Sequence, residues 1–273
     1  MLIFFIFTLV CLFVYIAYCL FFWQWKKNCQ PVYNDEKTLM MGHRGSPTLI
    51  TENTLPSFQK AIDQGVDGIE FDVRLSRDNQ IVIFHDADLN RLSNRSERIS
   101  DLSLTELQTI ELYKNDAQIE DAYIPSLNDL VPLLWQMKVI NIEIKSEGLF
   151  QGHAILKPLI AFLNKHQIDD KCIISSFNPL ILMKLRLQRP ETNIGFLYNR
   201  KRLFHTWDNM IWMLRVQPEN LHIHYSMLDS WIIKWARKKG MRINSYTIND
   251  KEIYNKFKSK IDGVFTDNTE YLK

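Results

Sequence analysis

Gly68-Ile69-Glu70-Phe71-Asp72-Val73-Arg74-Leu75, continued through Ser76-Arg77-Asp78-Asn79 to Gln80-Ile81-Val82-Ile83-Phe84-His85-Asp86, is the stretch that decides how this chain folds. Glu70 and Asp72 stand two residues apart in a segment of strand character, so their side chains project from the same face. The Ser76-to-Asn79 segment is built of turn-forming residues, and the apolar run from Ile81 to Phe84 follows at once. A connection this short cannot carry a parallel crossover, so the two runs are expected to pair as a hairpin. Pairing about that turn returns His85 to the neighbourhood of Asp72. Two carboxylates and a histidine at the mouth of a sheet form an arrangement suited to chemistry.

Outward from this hairpin, apolar runs alternate with amphipathic segments, the pattern of an α/β domain. Strands are expected at 39–43, 67–73, 139–145, 171–175, 193–197, 219–223, 241–247 and 262–266. Helices are expected at 55–64, 127–137, 153–166, 179–188, 227–238 and 250–258. With the return strand 80–84 set aside, the chain holds eight β-then-α units, the number of a closed parallel barrel. In such a barrel the chemistry lies at the C-terminal ends of the strands. His43 ends the first strand, Glu70 and Asp72 the second, and Glu143 and Lys145 a later one. The polar stretch from Asp86 to Pro125, with a helical piece near 104–111, is expected to form a flap beside the site.

The chain has 273 residues and a net charge of +2, room for one domain plus an appendage and no sign of a nucleic-acid footprint. The appendage is at the front. Residues 2–22 carry no charge, and as a helix they extend roughly 30 Å, the thickness of a bilayer core. Trp23 and Trp25 read as an interfacial pair, with Lys26 and Lys27 closing the segment. No basic region precedes the apolar run and no small-residue cleavage site follows it, which argues against a cleaved signal. The expectation is a single-pass membrane anchor at 1–27 and a polar linker at 28–38, then a domain at 39–273 facing the cytoplasm by the positive-inside tendency. Only Cys29 and Cys172 lie outside the apolar run, which is no disulfide framework.

Glu143 and Lys145, in Asn141-Ile142-Glu143-Ile144-Lys145, repeat the two-residue spacing with isoleucines on the other face. Three acids converging in a barrel mouth need a cation, because unpaired buried carboxylates are costly. An all-oxygen set selects a hard divalent ion, Mg²⁺ or Ca²⁺. His43 and His85 can move protons near neutral pH. Arg44 offers a planar fork for phosphate and Lys145 a point charge. Counting a divalent ion, the site carries about one net positive charge, which a phosphodiester monoanion would neutralise. Glu52 and Asn53 are expected to cap the helix near Leu55 or brace the first loop, and His222 and His224 to line the pocket rather than bind a second metal.

His43-Arg44-Gly45, Glu52-Asn53-Thr54, the Glu70/Asp72…His85-Asp86 run, Glu143-Ile144-Lys145, Ser175-Ser176-Phe177 and Asp262-Gly263-Val264-Phe265-Thr266-Asp267 resemble, in order, the glycerophosphodiester phosphodiesterase family. The resemblance implies a modified TIM barrel that uses a divalent metal to cleave a glycerophosphodiester into glycerol phosphate and an alcohol. It implies Glu70, Asp72 and Glu143 as metal ligands and His43 and His85 as the acid/base pair. It also permits attack by the substrate's own 2-hydroxyl through a cyclic phosphate. Two positions depart from the family pattern: Thr51 stands where a proline is usual, and Tyr246 where a tryptophan is common. Tyr246 is therefore expected as an aromatic wall for the alcohol part of the substrate. A tethered domain would also meet lysophospholipids, which makes lysophospholipase D activity the alternative; a non-catalytic lipid-phosphate binding module is a third reading.

Overall fold

The computed structural model describes residues 1–21, 32–33, 37–114, 117–118, 122–198 and 205–270. In chain order the elements are α1 (Leu2–Phe21), β1 (Leu39–His43), α2 (Leu55–Asp63), β2 (Gly68–Leu75), β3 (Ile81–Ile83), α3 (Leu104–Gln108), β4 (Tyr113–Lys114), β5 (Ala117–Gln118), α4 (Val131–Leu134) and β6 (Val139–Ile144). They continue as α5 (Leu156–His166), β7 (Cys172–Ser176), α6 (Pro179–Gln188), β8 (Asn193–Leu197), α7 (His205–Val216), β9 (Asn220–His224), α8 (Trp231–Lys238), β10 (Arg242–Tyr246), α9 (Lys251–Phe257) and β11 (Gly263–Thr266). The strands β1, β2, β6, β7, β8, β9, β10 and β11 each pair in parallel with the next, and β1 pairs with both β2 and β11, so the sheet closes. This is the eight-stranded parallel barrel that the alternation of runs implies.

Each strand is buried on both faces, and its period of two separates two environments. Along β2, Ile69, Phe71 and Val73 face the helices and join the main core with Ile140, Ile142 and Ile144 of β6. Glu70 and Asp72 therefore turn into the barrel. Its floor is apolar, formed by Leu39, Met41, Val139, Ile173 and Phe265, with Tyr33 inserted among them. The Tyr33 hydroxyl lies 2.6 Å from Asn244 Nδ2, so part of the expected linker is built into the barrel.

The hairpin forms as expected. β3 runs antiparallel to β2, with Val73 opposite Ile83 and Leu75 opposite Ile81. Asn79 takes a left-handed φ of 58° in the turn, which asparagine tolerates. The Phe84 N–H then donates to the Asp72 carbonyl at 3.0 Å, carrying the pairing on to His85. The insertion after it is a packed body with its own apolar centre of Leu89, Ile99, Leu107, Ile110 and Leu112, closed against Val82 and Phe84. Residues 127–137 contribute only the short α4, which starts no earlier than Val131 because Pro132 lacks an N–H and is tolerated only in the first turn. The helix expected at 227–238 begins at Trp231, after a 3₁₀ turn at Tyr225–Met227.

The membrane anchor is corrected by the structure: among the described residues no helix is long and apolar enough to cross a membrane. The end of α1 is committed to the barrel. Ile16 packs on the main core, Cys19 is buried, and Lys239 Nζ donates to the Cys19 carbonyl at 2.9 Å. Residues 3–15 remain exposed, and as a helix they extend roughly 20 Å where a crossing takes about 30 Å. Single-pass placement is therefore overturned, and the orientation toward the cytoplasm that was read from it loses its basis. Trp23, Trp25, Lys26 and Lys27, on which orientation rested, lie outside the described residues.

Candidate active site

Register places half of the site. In the ladder from β1 to β2, His43 sits beside Glu70. From β2 to β6, Asp72 sits beside Glu143, and from β6 to β7, Glu143 sits beside Ser175. His43 ends β1, and Glu143 and Ser175 stand one residue from the ends of β6 and β7, while Glu70 and Asp72 lie within β2, which runs on to Leu75 instead of ending at them. The loop leaving β1 must then turn sharply: Arg44 has φ 60° and Gly45 φ 93°. A Cβ at Gly45 would lie 2.5 Å from Ser57 Oγ, so only glycine lets this loop close on α2. The turn aims the Arg44 backbone N–H at Glu70, 2.9 Å from its carbonyl and 3.1 Å from Oε2.

The three carboxylates converge. Glu70, Asp72 and Glu143 are buried, and each offers an oxygen within 4.8 Å of the others. Glu70 Oε1 has no hydrogen-bond partner, an orphaned buried carboxyl oxygen that a cation would satisfy. An all-carboxylate donor set suits a hard divalent ion, so these residues can hold one. Protein cations meanwhile surround the acids. Lys145 Nζ lies 2.5 Å from Glu143 Oε1 and 2.8 Å from Asp72 Oδ1, and Arg44 Nε lies 3.1 Å from Asp72 Oδ2. Asn53, with φ 57°, donates to Asp72 Oδ2 at 2.8 Å.

These contacts divide the acids. Burial pushes Glu70 up to about 8, and the charges of Asp72 and Glu143 add to it. Burial also acts upward on Asp72, but Lys145 and Arg44 outweigh it and hold that carboxyl well below the usual range. Burial disfavours the Lys145 ammonium, yet Asp72 and Glu143 hold it above the ordinary lysine value.

Each histidine is held at Nδ1 by an aspartate. His43 Nδ1 lies 2.6 Å from Asp267 Oδ1, and His85 Nδ1 lies 2.7 Å from Asp86 Oδ1. Such bonds fix the tautomer and leave Nε2 as the ring nitrogen for proton transfer. Burial works against the charged form of His43, but Glu70 and the Asp267 bond together raise its affinity for a proton. The His85 bond, against burial and aided by Arg91, draws Asp86 down to about 2.

A cavity of about 170 Å³ opens on these groups. His43, Arg44, Glu70, His85, Glu143, Lys145 and Tyr246 line it, while Asp72 lies fully buried behind the wall. All eight site residues expected from the sequence thus belong to one constellation. Tyr246 stands edge-to-face with Phe177, ring centres 6.3 Å apart, and its hydroxyl donates to the Tyr198 carbonyl at 3.2 Å. His222 lines the floor, and burial pushes it down to about 3, so it is neutral. His224 turns instead to Ser226 and stacks on Tyr225. Glu52 does not cap α2; Thr54 does, accepting from the Ser57 N–H. Glu52 binds Arg44 Nη1 at 2.8 Å, so bracing is what it does. Sequence reasoning passed over the orienting contacts of Asp86 and Asp267. Asp86 adjoins its histidine and was open to inspection, whereas Asp267 lies 224 residues from His43 and had no local signal.

Known proteins share this construction. The model of the glycerophosphoryl diester phosphodiesterase family matches residues 43–271. The glycerophosphodiester phosphodiesterase of Caldanaerobacter subterraneus subsp. tengcongensis is 31% identical over 239 residues, 86% of this chain and 96% of that one. The crystal structure of the Thermotoga maritima glycerophosphodiester phosphodiesterase superposes with a TM-score of 0.72 at 31% identity, covering 87% of this chain and 97% of that one. An Oleispira antarctica phosphodiesterase, solved with its product sn-glycerol-3-phosphate, gives a TM-score of 0.74 at 28% identity over 86% of this chain and 95% of that one. The chain belongs to the glycerophosphoryl diester phosphodiesterase family and is a glycerophosphodiester phosphodiesterase.

Proposed function

We propose that residues 39–273 hydrolyse glycerophosphodiesters to glycerol 3-phosphate and an alcohol, with a divalent ion, Mg²⁺ or Ca²⁺, held by Glu70, Asp72 and Glu143. The observation that carries this reading is the pair of histidines, each held at Nδ1 by a carboxylate, on one cavity with three converging acids. When bound, the ion supplies Lewis-acid polarisation of the phosphoryl group. Arg44 and Lys145, which line the same cavity, take the phosphate charge. One histidine, through Nε2, removes the proton from the attacking oxygen, either the glycerol 2-hydroxyl or water. As the new P–O bond forms and the P–O bond to the alcohol breaks, the other histidine protonates the departing alkoxide. If the 2-hydroxyl attacks, water opens the cyclic phosphate with the proton roles reversed.

Glycerol phosphate release from a panel of diesters, before and after chelation and with each metal restored, tests this reading. Activity that survives full chelation would defeat the metal assignment. The wall of Phe177 and Tyr246 also suits an acyl chain, which keeps lysophospholipids within the substrate range. Acylated and deacylated members of the same panel separate lysophospholipase D from the soluble-diester reaction. A binding module without catalysis would release no product from any of them.

A further inference from the structure

The insertion after His85 reaches into the site through one side chain. Arg91 uses all three guanidinium nitrogens: Nε donates to Asp86 Oδ2 at 2.6 Å, Nη1 to Glu52 Oε2 at 2.9 Å and Nη2 to Glu52 Oε1 at 2.6 Å. The two carboxylates lead to two different groups that line the cavity, His85 and Arg44. Asp86 holds His85 at Nδ1 through its other oxygen. Glu52 Oε1 also takes Arg44 Nη1 at 2.8 Å. One continuous path, His85–Asp86–Arg91–Glu52–Arg44, therefore joins a histidine of the acid/base pair to the phosphate-facing arginine. Among the described residues, no other hydrogen bond ties the insertion to the loop 44–54.

We propose that Arg91 is a positioning residue, setting the His85 imidazole and the Arg44 guanidinium at the separation a bound phosphodiester requires. The fork geometry matters here more than the charge. Arg91 is about half exposed, and ion pairs in that setting add little to stability. A guanidinium engaged at three nitrogens nonetheless fixes orientation as a lysine ammonium does not. Without it, Glu52 keeps Arg44 as its remaining cationic partner and draws it from the phosphate, while Asp86 loses the brace that aims His85. Both changes displace reacting groups without unfolding the barrel. A displacement of about 1 Å in such groups can lower turnover roughly 10²-fold.

The inference rests on the reading of His85 and Arg44 given above, and a His85→Ala variant separates the two. The test is steady-state kinetics of the full chain with divalent metal and a glycerophosphodiester, alongside melting temperatures, for Arg91→Ala, Arg91→Lys, Asp86→Ala and the Arg91→Ala/Asp86→Ala double variant. Arg91→Ala is expected to lower kcat about tenfold or more and to raise KM, with the melting temperature shifted by no more than about 4 °C. Arg91→Lys should not restore kcat. The double variant should lose less than the product of the two single losses, because the Asp86 branch is common to both while the Glu52 branch belongs to Arg91 alone. A kcat for Arg91→Ala within twofold of the parent, full recovery in Arg91→Lys, or single losses that multiply in the double variant would each overturn the proposal. So would a fall in melting temperature that accounts for the lost activity in both Arg91 variants. An active His85→Ala would instead overturn the reading of the site.

Discussion

Metal binding should expel a proton from Glu70. This carboxyl is buried and pushed up to about 8, by burial first and then by Asp72 and Glu143. A metal ligand must be deprotonated, so ion and proton compete for the same oxygen. For a group with this affinity, about nine molecules in ten carry the proton at pH 7 and about one in ten at pH 9. Binding should then release about 0.9 proton per ion at pH 7 and about 0.1 at pH 9. The apparent affinity should fall roughly tenfold, about 1.4 kcal/mol, for each pH unit below 8. Isothermal titration calorimetry in Hepes and in Tris reads the proton count from the difference in heats. Glu70→Gln has no proton to lose and should bind more weakly without this pH dependence. Equal heats in the two buffers at pH 7, or one affinity from pH 6.5 to 8.5, would refute the reasoning. Stability carries the same sign. Since Glu70 in the folded protein lies above its ordinary 4.5, the metal-free fold binds the extra proton between 4.5 and about 8. It should lose stability across that window as pH rises, and the melting temperature of the parent should decline there relative to Glu70→Gln.

Alanine at His43 or His85 should reduce turnover by roughly 10²-fold or more with little change in melting temperature, and near-parental turnover in either variant would remove that residue from the reaction. Asp267→Asn replaces the acceptor at His43 Nδ1 with a group that can donate there and stabilise the wrong tautomer; kcat should fall at least about tenfold, whereas an unchanged kcat would show that Asp267 does not orient the ring. Gly45→Ala places a Cβ at positive φ against Ser57, and should cost about 1–3 kcal/mol, seen as a melting temperature lower by several degrees; an unaltered melting temperature would mean that the loop relaxes freely.

What could be read from the sequence was what short-range periodicity controls. Ile69, Phe71 and Val73 alternate with Glu70 and Asp72, and a strand has only two faces. Burying one set among the helices turns the other into the barrel, and the two-residue spacing of Glu143 and Lys145 works in the same way. The turn at Ser76 to Asn79 set the hairpin and with it the approach of His85 to Asp72, because so short a connection allows only an antiparallel return. Contacts between distant segments were another matter. The pairing of His43 with Asp267 depends on closure of β1 against β11, and no pattern local to either residue expresses it. Arg91 reads as one more charge in a polar stretch until the insertion packs and brings it to Glu52 and Asp86. The apolar run at the front shows the limit most directly. Hydropathy measures whether a segment can leave water, while the surface that receives it is a property of the assembled fold. Here Ile16 and Cys19 meet the barrel and Lys239 takes the end of α1, and the length left over falls short of a bilayer.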